Sequence, residues 1–95
     1  MNRFLHSAPH AALRQLLITA RKSKGLMQKD LASRLNKPQS YVSKYENGEK
    51  NIDVVELIEI IYALNENPKL FIENYLKEFN NIKSMSILNA NAHIQ

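Results

Sequence analysis

The stretch that decides the fold is residues 25–57, which read GLMQKDLASRLNKPQSYVSKYENGEKNIDVVEL. Gly25 and Gly48 bracket two short segments with apolar residues at helical spacing, and Asn36 lies between the segments. Glycine and asparagine tolerate the left-handed backbone conformation in which helices commonly end. The stretch therefore predicts a helix over about 28–35, a tight turn at Asn36 and a helix from Pro38 or Gln39 to Asn47.

The two predicted helices have the residues that a helix-turn-helix needs. Ala32 is small enough for the second helix to cross the first closely, and the branched Val42 can fill the space on the inner side of the second helix. The opposite face of the second helix is left outside the core, and its side chains are short, polar or basic: Gln39, Ser40, Ser43 and Lys44. Such side chains suit the base edges of a DNA major groove.

Three further helices are predicted around this pair. The first begins near Ser7, and its apolar stripe recurs every three or four residues up to Gly25. Asp53 is a good N-cap for the fourth helix, and Asn67 followed by a proline starts the fifth. These patterns predict an all-α fold, a compact domain of five helices.

The domain is expected to cover residues 1–79 and to be followed by a polar C-terminal tail over 80–95. After Phe79 the sequence is rich in asparagine and serine, so we expect residues 84–95 to be loosely ordered. Ile87 and Leu88 are apolar residues of this tail that could dock on a partner.

Length and composition exclude several classes of protein. A chain of 95 residues is long enough for one domain with a modest core. It has no cysteine, which excludes disulfides, thiolate metal sites and a cysteine nucleophile. We see no signal peptide and no apolar run of the ~18 residues that a membrane span needs. These features predict a cytoplasmic protein without a membrane segment.

The charge is divided unevenly along the chain. Residues 1–50 hold ten Lys/Arg and three acidic residues (+7), whereas residues 51–95 hold three Lys and six acidic residues (−3). A basic half in a small domain favours a polyanionic partner, and nucleic acid is the usual one. The alternative is a surface that is basic without binding anything.

With these residues in place, the stretch from Leu13 to Leu76 closely resembles the Cro/repressor-type (XRE) helix-turn-helix family. The strongest part is residues 25–57, which match the family pattern without a gap. The resemblance implies a lambda-repressor-like fold that contains a helix-turn-helix. It also implies a sequence-specific DNA-binding transcriptional regulator, most readily a repressor, that binds a two-fold operator through its third helix. Four positions depart from the pattern. Met27 and Pro38 replace capping Ser or Thr, and Asn36 and Lys37 replace a glycine and an apolar residue.

The resemblance and the positions together predict eight DNA-contact residues: Gln28, Gln39, Ser40, Tyr41, Ser43, Lys44, Asn47 and Lys50. Gln28 is expected on a phosphate and Gln39 on an adenine edge. The two serines and Lys44 are expected to contact bases or phosphates. Asn47 and Lys50 are expected to contact phosphates. Tyr41 either packs on the sugar-phosphate backbone or covers the core.

The resemblance also implies a partly buried ion pair between Arg21 on the first helix and Glu46 at the end of the third. The alternative is that Arg21 is an ordinary surface cation. Loss of one partner of a buried pair is costly because the other charge is left without compensation.

No enzyme, cofactor or metal site is predicted. His6 and His10 are four residues apart, but no third ligand is near them in the sequence. Phosphate-binding and nucleophile motifs are lacking. Four carboxylates of the later helices are interpreted as a solvated face: Asp53, Glu56, Glu59 and Glu73.

The predicted partner is double-stranded DNA, bound by a homodimer, since one helix-turn-helix offers too few base contacts for specificity. The expected dimer surface is apolar: Val54, Ile58, Phe71, Tyr75 and Phe79. The alternative is that these residues are covered within one protomer. Two other functions stay open: an antitoxin whose tail holds a toxin, and a bridging factor that does not read DNA.

Overall fold

The computed structural model describes the backbone of residues 7–94 and the side chains of residues 7–85. Within that range the chain forms five helices: α1 (Ala8–Ser23), α2 (Gln28–Arg34), α3 (Gln39–Glu46), α4 (Val54–Ala63) and α5 (Pro68–Ile94). The predicted all-α, five-helix fold is therefore confirmed. None of these helices is long and apolar enough to cross a membrane. His6 and the side chain of His93 lie outside the described residues.

The core lies where the first four helices meet the start of α5. α2 and α3 pack on each other, and α1 packs against both α3 and α5. Ala32 and Val42 are both buried, at the crossing and filling positions expected of a helix-turn-helix. The remaining buried apolar residues complete one cluster: Leu17, Leu31, Tyr45, Ile60, Ile61, Leu64 and Phe71.

The first four helices end in the same hydrogen-bonded turn. In each turn an N–H bonds to the carbonyl five residues earlier: Leu26 to Arg21, Lys37 to Ala32, Glu49 to Lys44 and Glu66 to Ile61. The residue before each of these donors is left-handed, with φ of 70° at Gly25, 55° at Asn36, 85° at Gly48 and 57° at Asn65. This is the Schellman ending, which satisfies carbonyls that the helix leaves without a partner. The first three endings were predicted, and the one at Asn65 was not.

The starts of α2 and α3 lack a side-chain cap, as the departures at Met27 and Pro38 predict. At α2 the loss is partly offset from inside the helix, since the Asp30 carboxylate accepts a hydrogen bond from the Met27 N–H at 2.8 Å. A carboxylate in the first turn also interacts favourably with the helix dipole. A methionine can therefore occupy this N-cap while the first turn keeps an acceptor.

The starts of α4 and α5 have the predicted caps. Asp53 Oδ1 accepts from the Glu56 N–H at 2.8 Å, and Glu56 Oε1 accepts from the Asp53 N–H at 3.0 Å. This reciprocal pair is a capping box. At α5, Asn67 Oδ1 accepts from the N–H groups of Lys69 and Leu70, at 2.9 and 3.2 Å.

α5 is longer than predicted. The expectation of a loosely ordered tail over 84–95 was wrong for residues 84–94, whose backbone continues α5. No glycine or proline follows Pro68, so nothing in the sequence stops the helix. Asparagine and serine cost at most about 0.7 kcal/mol each relative to alanine in a helix, which lowers propensity without imposing an end. α5 runs through the boundary expected between residues 79 and 80, and the extent of the domain along α5 stays a prediction.

Candidate nucleic-acid interface

α3 presents the polar face that the sequence predicts. Gln39, Ser40 and Lys44 are exposed and Ser43 is half-buried, whereas Val42 and Tyr45 on the opposite face are buried. The helix is short, so its three buried side chains, Val42, Tyr45 and Glu46, and the turns at its ends fix its orientation on the body. The outward face therefore belongs to a rigidly seated helix.

A buried ion pair lies directly behind this helix. Arg21 Nε and Nη2 donate to the two carboxylate oxygens of Glu46 at 2.8 and 3.0 Å, and Arg21 Nη1 donates to the Leu26 carbonyl at 2.8 Å. The side chains are only 9% and 5% exposed. A two-pronged pair of this kind has a fixed geometry as well as opposite charges. It ties the end of α1 to the end of α3.

The ion pair continues to the surface through two glutamines. Gln28 Nε2 donates to Glu46 Oε1 at 2.9 Å, and Gln39 Nε2 lies 3.5 Å from Gln28 Oε1. Because a carboxylate only accepts, the Gln28 amide must turn its NH₂ towards Glu46, which leaves its oxygen facing Gln39. Gln39 then keeps its own oxygen and one N–H for another partner. We call these four residues, Arg21, Glu46, Gln28 and Gln39, the inner cluster.

A second cluster joins α3, the following loop and α4. Tyr41 Oη donates to Glu56 Oε2 at 2.9 Å, and Lys50 Nζ donates to the same oxygen at 3.3 Å. The ammonium groups of Lys50 and Lys37 lie 5.3 and 5.4 Å from the centre of the Tyr41 ring. We call Tyr41, Lys50 and Glu56 the outer cluster. It holds two predicted DNA-contact residues on one carboxylate oxygen.

The pKa values of the outer cluster follow from these bonds. Burial and the hydrogen bond to Glu56 raise the pKa of Tyr41, so its hydroxyl stays protonated and remains a donor. Hydrogen bonds from the Asp53 N–H, Tyr41 and Lys50 hold the pKa of Glu56 below its usual value. The cluster is therefore a carboxylate with three donors at neutral pH.

Asn47 is engaged within its own loop. Its Oδ1 accepts from the Glu49 N–H at 3.0 Å and its Nδ2 donates to Glu49 Oε1 at 3.2 Å. The loop is also constrained at Gly48, because a Cβ there would lie 3.3 Å from Cζ of Arg14. If Asn47 contacts a phosphate as predicted, it does so with a side chain that already bonds to Glu49.

Glu56 is the member of these clusters that the sequence interpretation missed. It was expected on a solvated face with Asp53, Glu59 and Glu73, yet its side chain is 25% exposed and has three hydrogen-bond donors. The Asp53-x-x-Glu56 spacing of a capping box was a usable signal for the first of these bonds. The bonds to Tyr41 and Lys50 depend on how α4 lies against α3.

Comparisons with known proteins assign the chain to a family. A sequence model described as helix-turn-helix matches residues 17–71. An XRE-family like protein from Pseudomonas syringae pv. tomato str. DC3000 is 37% identical, with 79% of this chain and 92% of that chain covered and a TM-score of 0.73. The chain is an XRE-family helix-turn-helix protein. This confirms the predicted resemblance and the DNA-binding class of the domain.

Other XRE-like solved structures are similar over most of their length. The wild-type restriction-modification controller protein C.Esp1396I is 27% identical, with 77% of this chain and 96% of that chain covered and a TM-score of 0.71. Its tetramer in complex with its natural 35 base-pair operator matches with 28% identity, 76% and 95% coverage and a TM-score of 0.69. No curated protein sequence is significantly similar to this XRE-family chain.

Proposed function

We propose that this XRE-family protein is a transcriptional repressor that reads a specific DNA sequence with α3. The observation that carries the proposal is the exposed Gln39 amide, whose Nε2 lies 3.5 Å from Oε1 of Gln28, a side chain that bonds to the buried ion pair. A glutamine that offers both an oxygen and an N–H can make two hydrogen bonds to the major-groove edge of adenine. A bridging factor that does not read DNA has no need of the polar face formed by Gln39, Ser40, Ser43 and Lys44.

The other predicted contact residues surround Gln39 in a manner that suits DNA. Ser40, Ser43 and Lys44 share its face of α3, and the remaining members lie at the rim: Gln28, Tyr41, Asn47 and Lys50. We propose that the α3 face meets bases and that the rim meets phosphates and sugars. The net charge of +7 in residues 1–50 supports a phosphate partner. A DNA target is consistent with the predicted cytoplasmic location and with a protein that is not an enzyme.

Selection of bound duplexes from a random pool, followed by binding measurements on the selected sequence, tests this function. Gln39→Ala should cost roughly 1–3 kcal/mol on the selected duplex and relax the preference at one base pair. Gln15→Ala on α1 is the matched control, since it removes an exposed glutamine outside the α3 face. An unchanged base preference in Gln39→Ala would mean that α3 does not dock as proposed.

We further propose that the protein binds a two-fold operator as a homodimer through α4 and α5. Two residues of the predicted dimer surface belong instead to the protomer, because Phe71 is buried and the Tyr75 hydroxyl donates to the Pro9 carbonyl at 2.8 Å. Apolar side chains nevertheless remain exposed on these helices: Val54, Val55, Tyr62, Leu70, Leu76 and Phe79. The operator-bound tetramer of the similar controller protein supports self-association.

Analytical ultracentrifugation at micromolar concentration tests the dimer. Val55→Asp combined with Phe79→Asp should leave the helical content unchanged, convert the protein to a monomer and weaken operator binding. Lys69→Asp with Lys83→Asp controls for adding acidic residues to α5, since both lysines are exposed. A wild type that is monomeric both alone and on the operator would contradict the dimer without contradicting DNA binding.

A further inference from the structure

The outer cluster pairs a cation of the proposed DNA rim with a carboxylate of the protein itself. Lys50 Nζ lies 3.3 Å from Glu56 Oε2 and also donates to the Asn51 carbonyl at 3.2 Å. The two charged side chains are 35% and 25% exposed, so both can be reached from solvent. A DNA phosphate that approaches Lys50 would therefore meet a negative charge of the protein beside the ammonium group.

We propose that Glu56 competes with the DNA backbone for Lys50 and thereby sets the strength and the salt dependence of DNA binding. The proposal rests on the proposed DNA-binding function and deepens it. In the protein alone, Glu56 neutralises Lys50 and holds the Tyr41 hydroxyl; on DNA, a phosphate takes the place of Glu56 on Lys50. Glu56 is in this sense a positioning residue rather than a DNA contact.

The geometry allows Lys50 to leave without disturbing the rest of the cluster. Glu56 keeps two other donors, the Tyr41 hydroxyl at 2.9 Å and the Asp53 N–H at 3.0 Å. The carboxylate is therefore not stranded when the lysine turns to a phosphate. Lys50 lies near the Tyr41 ring in its present position, 5.3 Å from the ring centre, and its long side chain can swing over that ring.

Counterion release makes the proposal quantitative. A lysine that neutralises one phosphate releases about 0.9 counterion equivalents from duplex DNA, which steepens the dependence of log K on log salt by the same amount. A lysine already neutralised by a carboxylate contributes less, because the pair as a whole brings no net charge. Wild-type protein should therefore show a shallower salt slope than a variant whose Lys50 has no anionic partner.

Glu56→Gln is the decisive variant. Glutamine can take the place of glutamate in a capping box, with its oxygen accepting from the Asp53 N–H, so the start of α4 is retained while the charge is removed. Its NH₂ then faces the Tyr41 hydroxyl, which can accept a hydrogen bond as well as donate one. Fluorescence anisotropy at several salt concentrations measures the affinity for a random-sequence duplex. At low salt, Glu56→Gln should bind this duplex about threefold to tenfold more tightly than the wild type does. The salt slope should steepen by roughly 0.5–1.

Glu59→Gln is the matched control, because it removes the same charge from an exposed position one turn further along α4. It should change affinity by less than about twofold. In a Lys50→Ala background, Glu56→Gln should gain much less affinity than it gains in the wild type, since the group for which Glu56 competes is absent. Thermal melts of each variant establish that it is folded.

Three results would overturn the inference while the wild type still binds DNA. They are an affinity of Glu56→Gln equal to or weaker than the wild type, equal effects of Glu56→Gln and Glu59→Gln, and an undiminished gain in the Lys50→Ala background. A wild type that binds no duplex even at low salt would instead overturn the proposed function, and this inference with it.

Discussion

The inner and outer clusters are both built on a glutamate that binds one cation and orients one residue of the proposed DNA interface. Glu46 is buried and meets Arg21 with both oxygens, whereas Glu56 is partly exposed and offers Lys50 a single shared oxygen. Burial makes the first pair costly to break, because an unpaired charge would be left in a poorly solvated place. Exposure lets water or a phosphate replace the partner in the second.

The difference assigns the two carboxylates distinct roles. In the inner cluster, the arginine and the glutamate are buried and joined by two hydrogen bonds, and Gln28 bonds to the same carboxylate beside the exposed Gln39. In the outer cluster, Lys50 has alternatives, and its contribution to binding depends on which anion holds it. We expect the inner cluster to determine which DNA sequence is preferred and the outer cluster to adjust the affinity for any DNA.

The largest expected effect comes from breaking the inner cluster. Glu46→Ala should lower the free energy of unfolding by about 3 kcal/mol, because Arg21 is left buried without its counter-charge. Replacing both residues by apolar ones, as in Arg21→Met with Glu46→Leu, should recover much of the loss. Urea denaturation of Glu46→Ala, of each apolar replacement alone and of the double variant measures these free energies of unfolding. A Glu46→Ala protein as stable as the wild type would remove the distinction between the clusters.

A smaller loss of stability is expected from the outer cluster. Glu56→Ala removes half of the capping box and the acceptor of Tyr41, and should cost about 1 kcal/mol. Glu56→Gln should cost less, because the amide oxygen can still accept a hydrogen bond. The same urea experiment compares the variants. If Glu56→Ala and Glu46→Ala lowered the free energy of unfolding equally, burial would not distinguish the Arg21–Glu46 pair from the Lys50–Glu56 pair.

The smallest expected effect is a pH dependence of stability that comes from Glu56 of the outer cluster. The pKa of Glu56 is held below its ordinary value by the Asp53 N–H, Tyr41 and Lys50, so its ionised form stabilises the fold. That stabilisation is complete above the pKa of the unfolded chain, about 4.3, and is lost as pH falls through the lower folded pKa. The stability advantage of wild type over Glu56→Gln should therefore shrink as the pH falls from about 5 through the lowered pKa of the folded protein.

Urea denaturation across this pH range tests the expectation, with Glu59→Gln as the control for general charge effects. A difference between wild type and Glu56→Gln that is constant with pH would contradict it.

The residues that could be predicted from the sequence are those whose signals are local. Gly25, Asn36 and Gly48 mark helix ends, and Asp53 and Asn67 mark helix starts, because each acts on backbone groups within a few residues. The ion pair between Arg21 and Glu46 was predicted from the family resemblance, and the structure contains it. These signals were enough for the five-helix fold and for the helix that carries the proposed interface.

The hydrogen bonds that the sequence analysis missed join distant parts of the chain. Glu56 meets Tyr41 across 15 positions, and Gln28 meets Glu46 across 18. Helical spacing says which side of a helix is apolar, but it does not say which polar side chain of another helix faces it. The length of α5 was missed for another reason, since a polar segment without a breaker was interpreted as irregular.

The repeated Schellman ending has a consequence for how fast this chain acquires its structure. Each of the first four helices is terminated by residues adjacent to it, and the connections to the next helix are short. Most of the native interactions therefore join residues close together along the chain, and topologies of this kind reach the native state in microseconds to milliseconds. A molecule that unfolds transiently would therefore refold quickly, so the exposed chain would be open to proteolysis or aggregation only briefly.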